Sequence, residues 1–191
     1  SKEEVNDIAF SVEKYMHGTP SGGDNSTCCY GGLVWFQKTM QGNIIRNLNA
    51  PKLDNFFLVY IGRPEKSTGE LVQHVRNLEE SYRQPRIAEI SRATHDLLEA
   101  IMNSDVKRIK ECINRAQKNL AELGVSTSEI DEVCKAVRNN GGAAKLSGAG
   151  GGGVVLCYHE DKLKLSEAMS DLGLSATPTV LGEEGVRVES I

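Results

Sequence analysis

Apolar positions recur along this chain at two spacings, and the switches between them predict its layout. Over residues 2–15, Val5, Ile8, Ala9 and Val12 return at helical spacing, and Glu3 and Glu4 lie in the first turn, where the helix dipole favours negative charge. A helix is predicted there. Two short β-prone runs, Leu33-Val34-Trp35-Phe36 and Ile44-Ile45, flank Gln41-Gly42-Asn43 and predict a hairpin. Residues 56–61 are continuously apolar, the pattern of a strand buried on both faces. A helix-rich block follows, over about 67–81, 85–103, 105–123 and 126–139, with Gly124 and Gly141 placed as stops and Leu97, Ile101, Ile109, Ile113 and Leu120 expected inward. The end of the chain alternates again: 143–147 extended, a glycine run, a strand at 154–158, a helix at 160–172 and strands at 178–181 and 186–188. Strands that bracket segregated helices predict an α+β fold rather than a doubly wound parallel sheet. Asn49-Ala50-Pro51 reads as a linker, because proline holds its predecessor extended, and it divides the chain into 1–50 and 51–191.

Two glycine-rich stretches carry the candidate chemistry. The later one, KLSGAGGGGVVLCY, formally contains G-x-G-x-x-G over 148–153. A dinucleotide fingerprint needs a helix directly after its glycines, and Val154-Val155-Leu156 is a strand pattern instead. No Gly-Lys-Ser/Thr closes it as a Walker loop. It therefore predicts a loop between two strands that another object approaches closely, either a phosphate held by successive N–H groups or a neighbouring element of the fold.

The earlier stretch, YMHGTPSGGDNSTCCYGG, surrounds a single acid, Asp24. Pro20 fixes one backbone angle, Gly18, Gly22 and Gly23 permit left-handed geometry, and Thr19, Ser21 and Asn25 offer hydrogen bonds that hold a tight turn. Asn25-Ser26 reads as the cap of a short helix leading to Gly31, with Asp24 itself as the alternative cap. Glu13 lies on the preceding helix. If that helix folds back, the two acids flank one cation, and an acid pair suits Mg²⁺, which takes oxygen ligands and keeps waters and phosphates in its shell. Otherwise Glu13 is an exposed helical residue.

Composition narrows the classes. Hydrophobic residues at 39% and charged residues at 25% are ordinary for a globular protein, and no apolar run is long enough for a membrane span. The start shows no secretory pattern, so a cytoplasmic setting is expected. A formal charge of −4 without a Lys/Arg cluster disfavours nucleic acid and favours a small-molecule ligand. Five cysteines without a C-x-x-C pair indicate reduced thiols rather than disulfides or zinc, and His17, His74, His95 and His159 show no metal-ligand spacing. The chain opens inside a predicted helix without an initiator methionine and is expected to be a fragment.

Glu13, then HGTPSGGDN (17–25), YGG (30–32), KST with LVQHVR (66–76) and KLSGAGGGG (145–153), in this order and with these gaps, resemble the mevalonate kinase family of the GHMP kinase superfamily. The resemblance spans essentially the whole chain. The first motif is specific to that family, and the last is shared across the superfamily. The resemblance implies that Asp24 is the catalytic carboxylate meeting the C5 hydroxyl of mevalonate and that Glu13 binds the Mg²⁺ bridging the ATP phosphates. It implies that His17, Ser21 and Thr68 lie on the substrate or phosphate side, and that Gly148, Ala149, Gly150, Gly151 and Gly152 form the loop that closes over the site. Two positions depart from the family, Gly23 where an apolar residue is usual and Gly69 where a basic one is usual.

A larger departure is an absence. The superfamily's early lysine-bearing strand and its Gly-Leu-Gly-Ser-Ser phosphate loop do not occur in this sequence. The resemblance thus implies the end of an amino-terminal GHMP kinase domain at 1–50, followed by a ferredoxin-like C-terminal domain with extra helices at 51–191. The expected activity is ATP-dependent mevalonate phosphorylation, completed by an amino-terminal half on a separate chain and compatible with a homo-oligomer. A phosphomevalonate kinase, another small-molecule kinase of the superfamily and a non-catalytic subunit of the same fold are the alternatives.

Overall fold

The structure, a computed structural model, describes residues 1–17, 20–50 and 52–189, with the side chains of Met16 and His17 outside that description. The chain divides into two compact units, Ser1–Asp54 with Val180–Ile191, and Asn55–Thr179.

The first unit opens with α1 (Lys2–His17) and α2 (Gly23–Tyr30), followed by the hairpin strands β1 (Leu33–Thr39) and β2 (Gly42–Leu48). The hairpin pairs Leu33 with Leu48 through Thr39 with Gly42, so its turn falls at Met40-Gln41, one or two residues before the predicted position. The buried face of α1 differs from the expected one. Val5, Ile8 and Val12 are 40%, 66% and 55% exposed, while Asn6 is buried at 7% because it meets α2. The predicted strand at 186–188 does not form. Residues 183–186 instead run against the end of α2, with Gly32 N–H donating to Glu183 O (2.7 Å) and Val186 N–H to Cys28 O (3.1 Å). Both Gly31 and Gly185 are needed at this crossing, since a Cβ on Gly31 would overlap the Gly185 backbone. Pro51, the predicted linker proline, lies outside the described residues.

The second unit holds most of β3 (Leu53–Gly62) and of β6 (Ala176–Leu181), together with α3 (Thr68–Asn77), α4 (Glu80–Met102), α5 (Val106–Glu122), α6 (Ser128–Asn139), β4 (Ala143–Leu146), β5 (Gly153–Tyr158) and α7 (Lys162–Ser170). The sheet order is β4-β5-β3-β6, with β5 antiparallel to both β3 and β4. In chain order this is strand, helices, strand, strand, helix, strand, with the first and third strands central: a split βαβ arrangement of ferredoxin type with added helices.

Local signals start these helices. Ser67 and Glu70 make a reciprocal capping box at α3, while Asp105, Thr127 and Asp161 cap α5, α6 and α7 through their side chains. Helix α4 begins at Glu80, before Pro85 rather than at it. The carbonyl left without a partner by Pro85 belongs to Ser81, an exposed residue, so water can serve it.

Ile130, Val133, Cys134 and Val137 of α6 and Leu165, Ala168 and Met169 of α7 pack on Phe57, Val59, Val155, Cys157, Ala144 and Leu146 of the sheet. Each fully buried aliphatic side chain here contributes about 1.5–3 kcal/mol. Burial pushes the thiols of Cys134 and Cys157 up to about 12, so both behave as small apolar groups. The prediction of a strand buried on both faces does not hold for β3. These helices cover one face, and on the other Leu58 is 37% and Tyr60 62% exposed.

At the sheet edge α5 takes the place of a fifth strand. Asn114 Oδ1 accepts from Ala144 N–H (3.3 Å) and Gln117 Oε1 from Leu146 N–H (2.9 Å), satisfying two donors of β4 with side chains one helical turn apart.

Candidate functional site

Asp24 is the second residue of α2. The helix starts after Gly22, whose left-handed backbone (φ 90°) provides the N-cap position without a side-chain cap. Asn25 and Ser26, expected as caps, are buried inside the helix at 8% and 1% exposure. Ser26 Oγ donates back to Gly22 O (2.6 Å), and Ser21 Oγ accepts from Gly23 N–H (3.1 Å), which together fix the entry to α2. Asp24 makes no cap bond either. Its side chain is exposed in the first turn of the helix.

Three contacts in sequence make α1 and α2 antiparallel. Lys2 Nζ donates to Tyr30 O (3.2 Å), Asn25 Nδ2 to Asn6 Oδ1 (2.7 Å), and a Cβ on Gly22 would come within 3.3 Å of the Phe10 ring. Glu13 is half-buried and follows Asn6 by seven residues, two turns further along nearly the same helix face. The C-terminal half of α1, with Glu13, thus runs toward the N-terminus of α2, with Asp24. This is the fold-back of the two helices that the sequence left open. Among the described residues no three His, Cys, Asp or Glu side chains gather to hold a metal by themselves. Gly18 and Thr19 and the side chain of His17 lie outside the described residues.

Thr68 and the glycine loop belong to the second unit. Thr68 is the first residue of α3 and is exposed, directly after the Ser67 cap. Hydrogen bonds from the Ser67 hydroxyl and then from its backbone N–H hold the Glu70 carboxyl below the usual range. The loop 147–152 joins β4 to β5, and β5 begins at Gly153, so no helix follows the glycines.

The two explanations for these glycines divide by position. At Gly150 a Cβ would overlap Val125 O, at Gly151 it would meet Leu71 Cδ1 at 3.0 Å, and at Gly152 it would meet Pro64 Cα at 3.0 Å. Those three are occupied by the fold itself, and Gly151 N–H is bonded to Val125 O (2.8 Å). Gly148, also left-handed at φ 75°, has nothing within 4 Å. Leu71 is one turn beyond Thr68, so the structure brings the start of α3 and the glycine loop together. Beside them opens a largely apolar groove of about 540 Å³, walled by Leu71, Val75, Ile87, Leu123 and Ala149.

Lys145, which sequence reasoning carried only as a motif letter, is half-buried on β4 next to the loop, and its Nζ donates to Leu146 O (2.6 Å). Burial holds its ammonium below the usual range. Asn6 was missed altogether. Its signal was a polar residue on the same helical stripe as Phe10 and Glu13, visible only once the partner helix is known.

Residues 97–174 match the family described as GHMP kinases C terminal. The chain is 34% identical over 197 residues to the mevalonate kinase of Schizosaccharomyces pombe, a match covering 94% of this chain and 48% of that protein. To the mevalonate kinase of Homo sapiens it is 29% identical over 206 residues, covering 98% of this chain and 50% of the relative. The chain thus spans about half the length of the curated relatives it matches. Among solved structures, an L. major mevalonate kinase in complex with R-mevalonate superposes with a TM-score of 0.84 at 22% identity, covering 97% of this chain and 60% of that one.

Proposed function

From the premise that this chain has the GHMP kinase fold and is similar over nearly its whole length to mevalonate kinases, we propose that it is the carboxyl-terminal part of a mevalonate kinase. Such an enzyme transfers the γ-phosphoryl group of ATP to the C5 hydroxyl of mevalonate. The observation that carries the reading is the antiparallel packing of α1, which bears Glu13, against α2, which bears Asp24.

The roles follow from the chemistry of phosphoryl transfer, in which positioning and charge stabilisation do most of the work. Asp24, in the first turn of α2, holds the acceptor hydroxyl and takes its proton as the oxygen bonds to phosphorus and the bond to ADP breaks. Glu13 would hold Mg²⁺, whose charge offsets that of the phosphate oxygens. Ser21, with its oxygen engaged by Gly23 N–H, retains a hydroxyl hydrogen to offer, and His17 is assigned to the same substrate side. Thr68 and the loop Gly148, Ala149, Gly150, Gly151 and Gly152 serve the phosphate side, with Gly148 as the open backbone position. Residues 1–50 are read as the end of the amino-terminal domain and 51–191 as the C-terminal domain, acting in the cytoplasm.

The phosphate loop and lysine strand must come from an amino-terminal half. Support lies in the surface that α1 leaves open, where Val5, Ile8, Val12 and Tyr15 form one stripe and Tyr15 is 90% exposed. The two-stranded hairpin β1-β2 is likewise too small a sheet to stand alone. The test is to co-express the chain with a polypeptide carrying the Gly-Leu-Gly-Ser-Ser loop. Copurification with ADP release that depends on mevalonate supports the reading. Turnover on phosphomevalonate alone redirects it to a phosphomevalonate kinase, and a stable complex without turnover on either would leave a non-catalytic subunit.

A further inference from the structure

The Asn6–Asn25 pair is a buried hydrogen bond between side chains of the two helices that carry Glu13 and Asp24. Both amides are buried, at 7% and 8% exposure, and Asn25 Nδ2 reaches Asn6 Oδ1 at 2.7 Å and Asn6 O at 3.5 Å. Apolar contact between helices tolerates sliding. A buried donor and acceptor do not, because a shift of a fraction of a turn leaves both without partners. Asn25 is covalently next to Asp24, and Asn6 lies two turns from Glu13 on the same face of α1.

We infer that Asn6 and Asn25 form a clasp that fixes the register of α1 against α2 and thereby positions the Glu13 carboxylate relative to that of Asp24. Both are positioning residues and touch no substrate. The inference rests on the proposed kinase reading for its catalytic consequence, but the clasp itself is a statement about two helices.

The donor and acceptor roles make it testable with near-isosteric changes. Asn6→Leu removes the acceptor, whereas Asn6→Asp keeps an oxygen for the Asn25 amide. Spin labels on the native exposed Cys28 and on Ser11→Cys report the α1/α2 distance in the 191-residue chain. Kinetics are measured after assembly with the amino-terminal half. Asn6→Leu is expected to broaden or shift the distance distribution. It should also lower kcat by about tenfold or more, with KM for mevalonate changed by less than about twofold, since misplacing reacting groups by about 1 Å costs on the order of 10²-fold. Asn6→Asp is expected to recover the wild-type distribution and most of the rate. The clasp is overturned if Asn6→Leu leaves the distribution unchanged. It is also overturned if the two variants lose rate equally and only in proportion to lost folded protein. Should wild-type assemblies show no turnover, the kinase reading fails, and the label distances alone decide the clasp.

Discussion

Gly23 occupies the first turn of α2, immediately before Asp24, at a position where the mevalonate kinase family usually has an apolar residue. Its backbone is not left-handed, and a Cβ would meet Ser21 Oγ at 3.4 Å and the Phe36 ring at 3.8 Å, ordinary contact distances. Glycine therefore gives the turn nothing that alanine could not, and it enlarges the entropy of the unfolded chain. Gly23→Ala is expected to stabilise the protein by about 0.4–1 kcal/mol in urea unfolding. Gly150 is the opposite case: left-handed at φ 91° and pressed against Val125 O, it admits no side chain. Both glycines read alike in sequence, and only their surroundings separate them.

At the scale of elements, the edge of β4 is closed by α5. Gln117→Leu keeps the volume but leaves Leu146 N–H buried without its acceptor, and should cost about 1–3 kcal/mol in chemical unfolding. The α4–α5 pair carries a second, ionic device. Asp96 bonds Arg115 and Arg108, and Arg108 also reaches Glu99. The hydrogen bond from Arg115, outweighing some burial, holds the Asp96 carboxyl below its usual range. A carboxyl depressed in the folded state stabilises fully above its unfolded pKa, near 4, and loses that contribution as pH falls through the folded value. Asp96→Asn should therefore flatten the loss of thermal stability below about pH 4, and Tm measured against pH checks it.

Helix signals of this kind were legible in advance. The helices expected over 105–123 and 126–139 and the strand expected at 154–158 form as α5, α6 and β5. What stayed hidden depended on partners far along the chain. Burial of Asn6 needs α2, exposure of Tyr60 follows from helices covering only one sheet face, and α4 runs through Pro85 where the carbonyl of Ser81 lies on an exposed residue. Glu13 and Asp24 were nameable from their motif. The antiparallel packing of the helices that carry them was not.

At the scale of the whole molecule, the chain supplies two blocks of motif, one in each compact unit, and about half the length of its curated relatives. The acids belong to the first unit and the glycine loop to the second. Asp24 is proposed to be the group that handles the acceptor proton. The most direct test is single-turnover phosphoryl transfer from ATP to mevalonate, followed by ³¹P NMR, in the assembled kinase with Asp24 intact and with Asp24→Asn. The substitution should slow phosphate appearance on the C5 oxygen by about 10²- to 10⁴-fold while binding of both substrates persists. An unchanged rate in a folded, substrate-binding Asp24→Asn assembly would contradict the account.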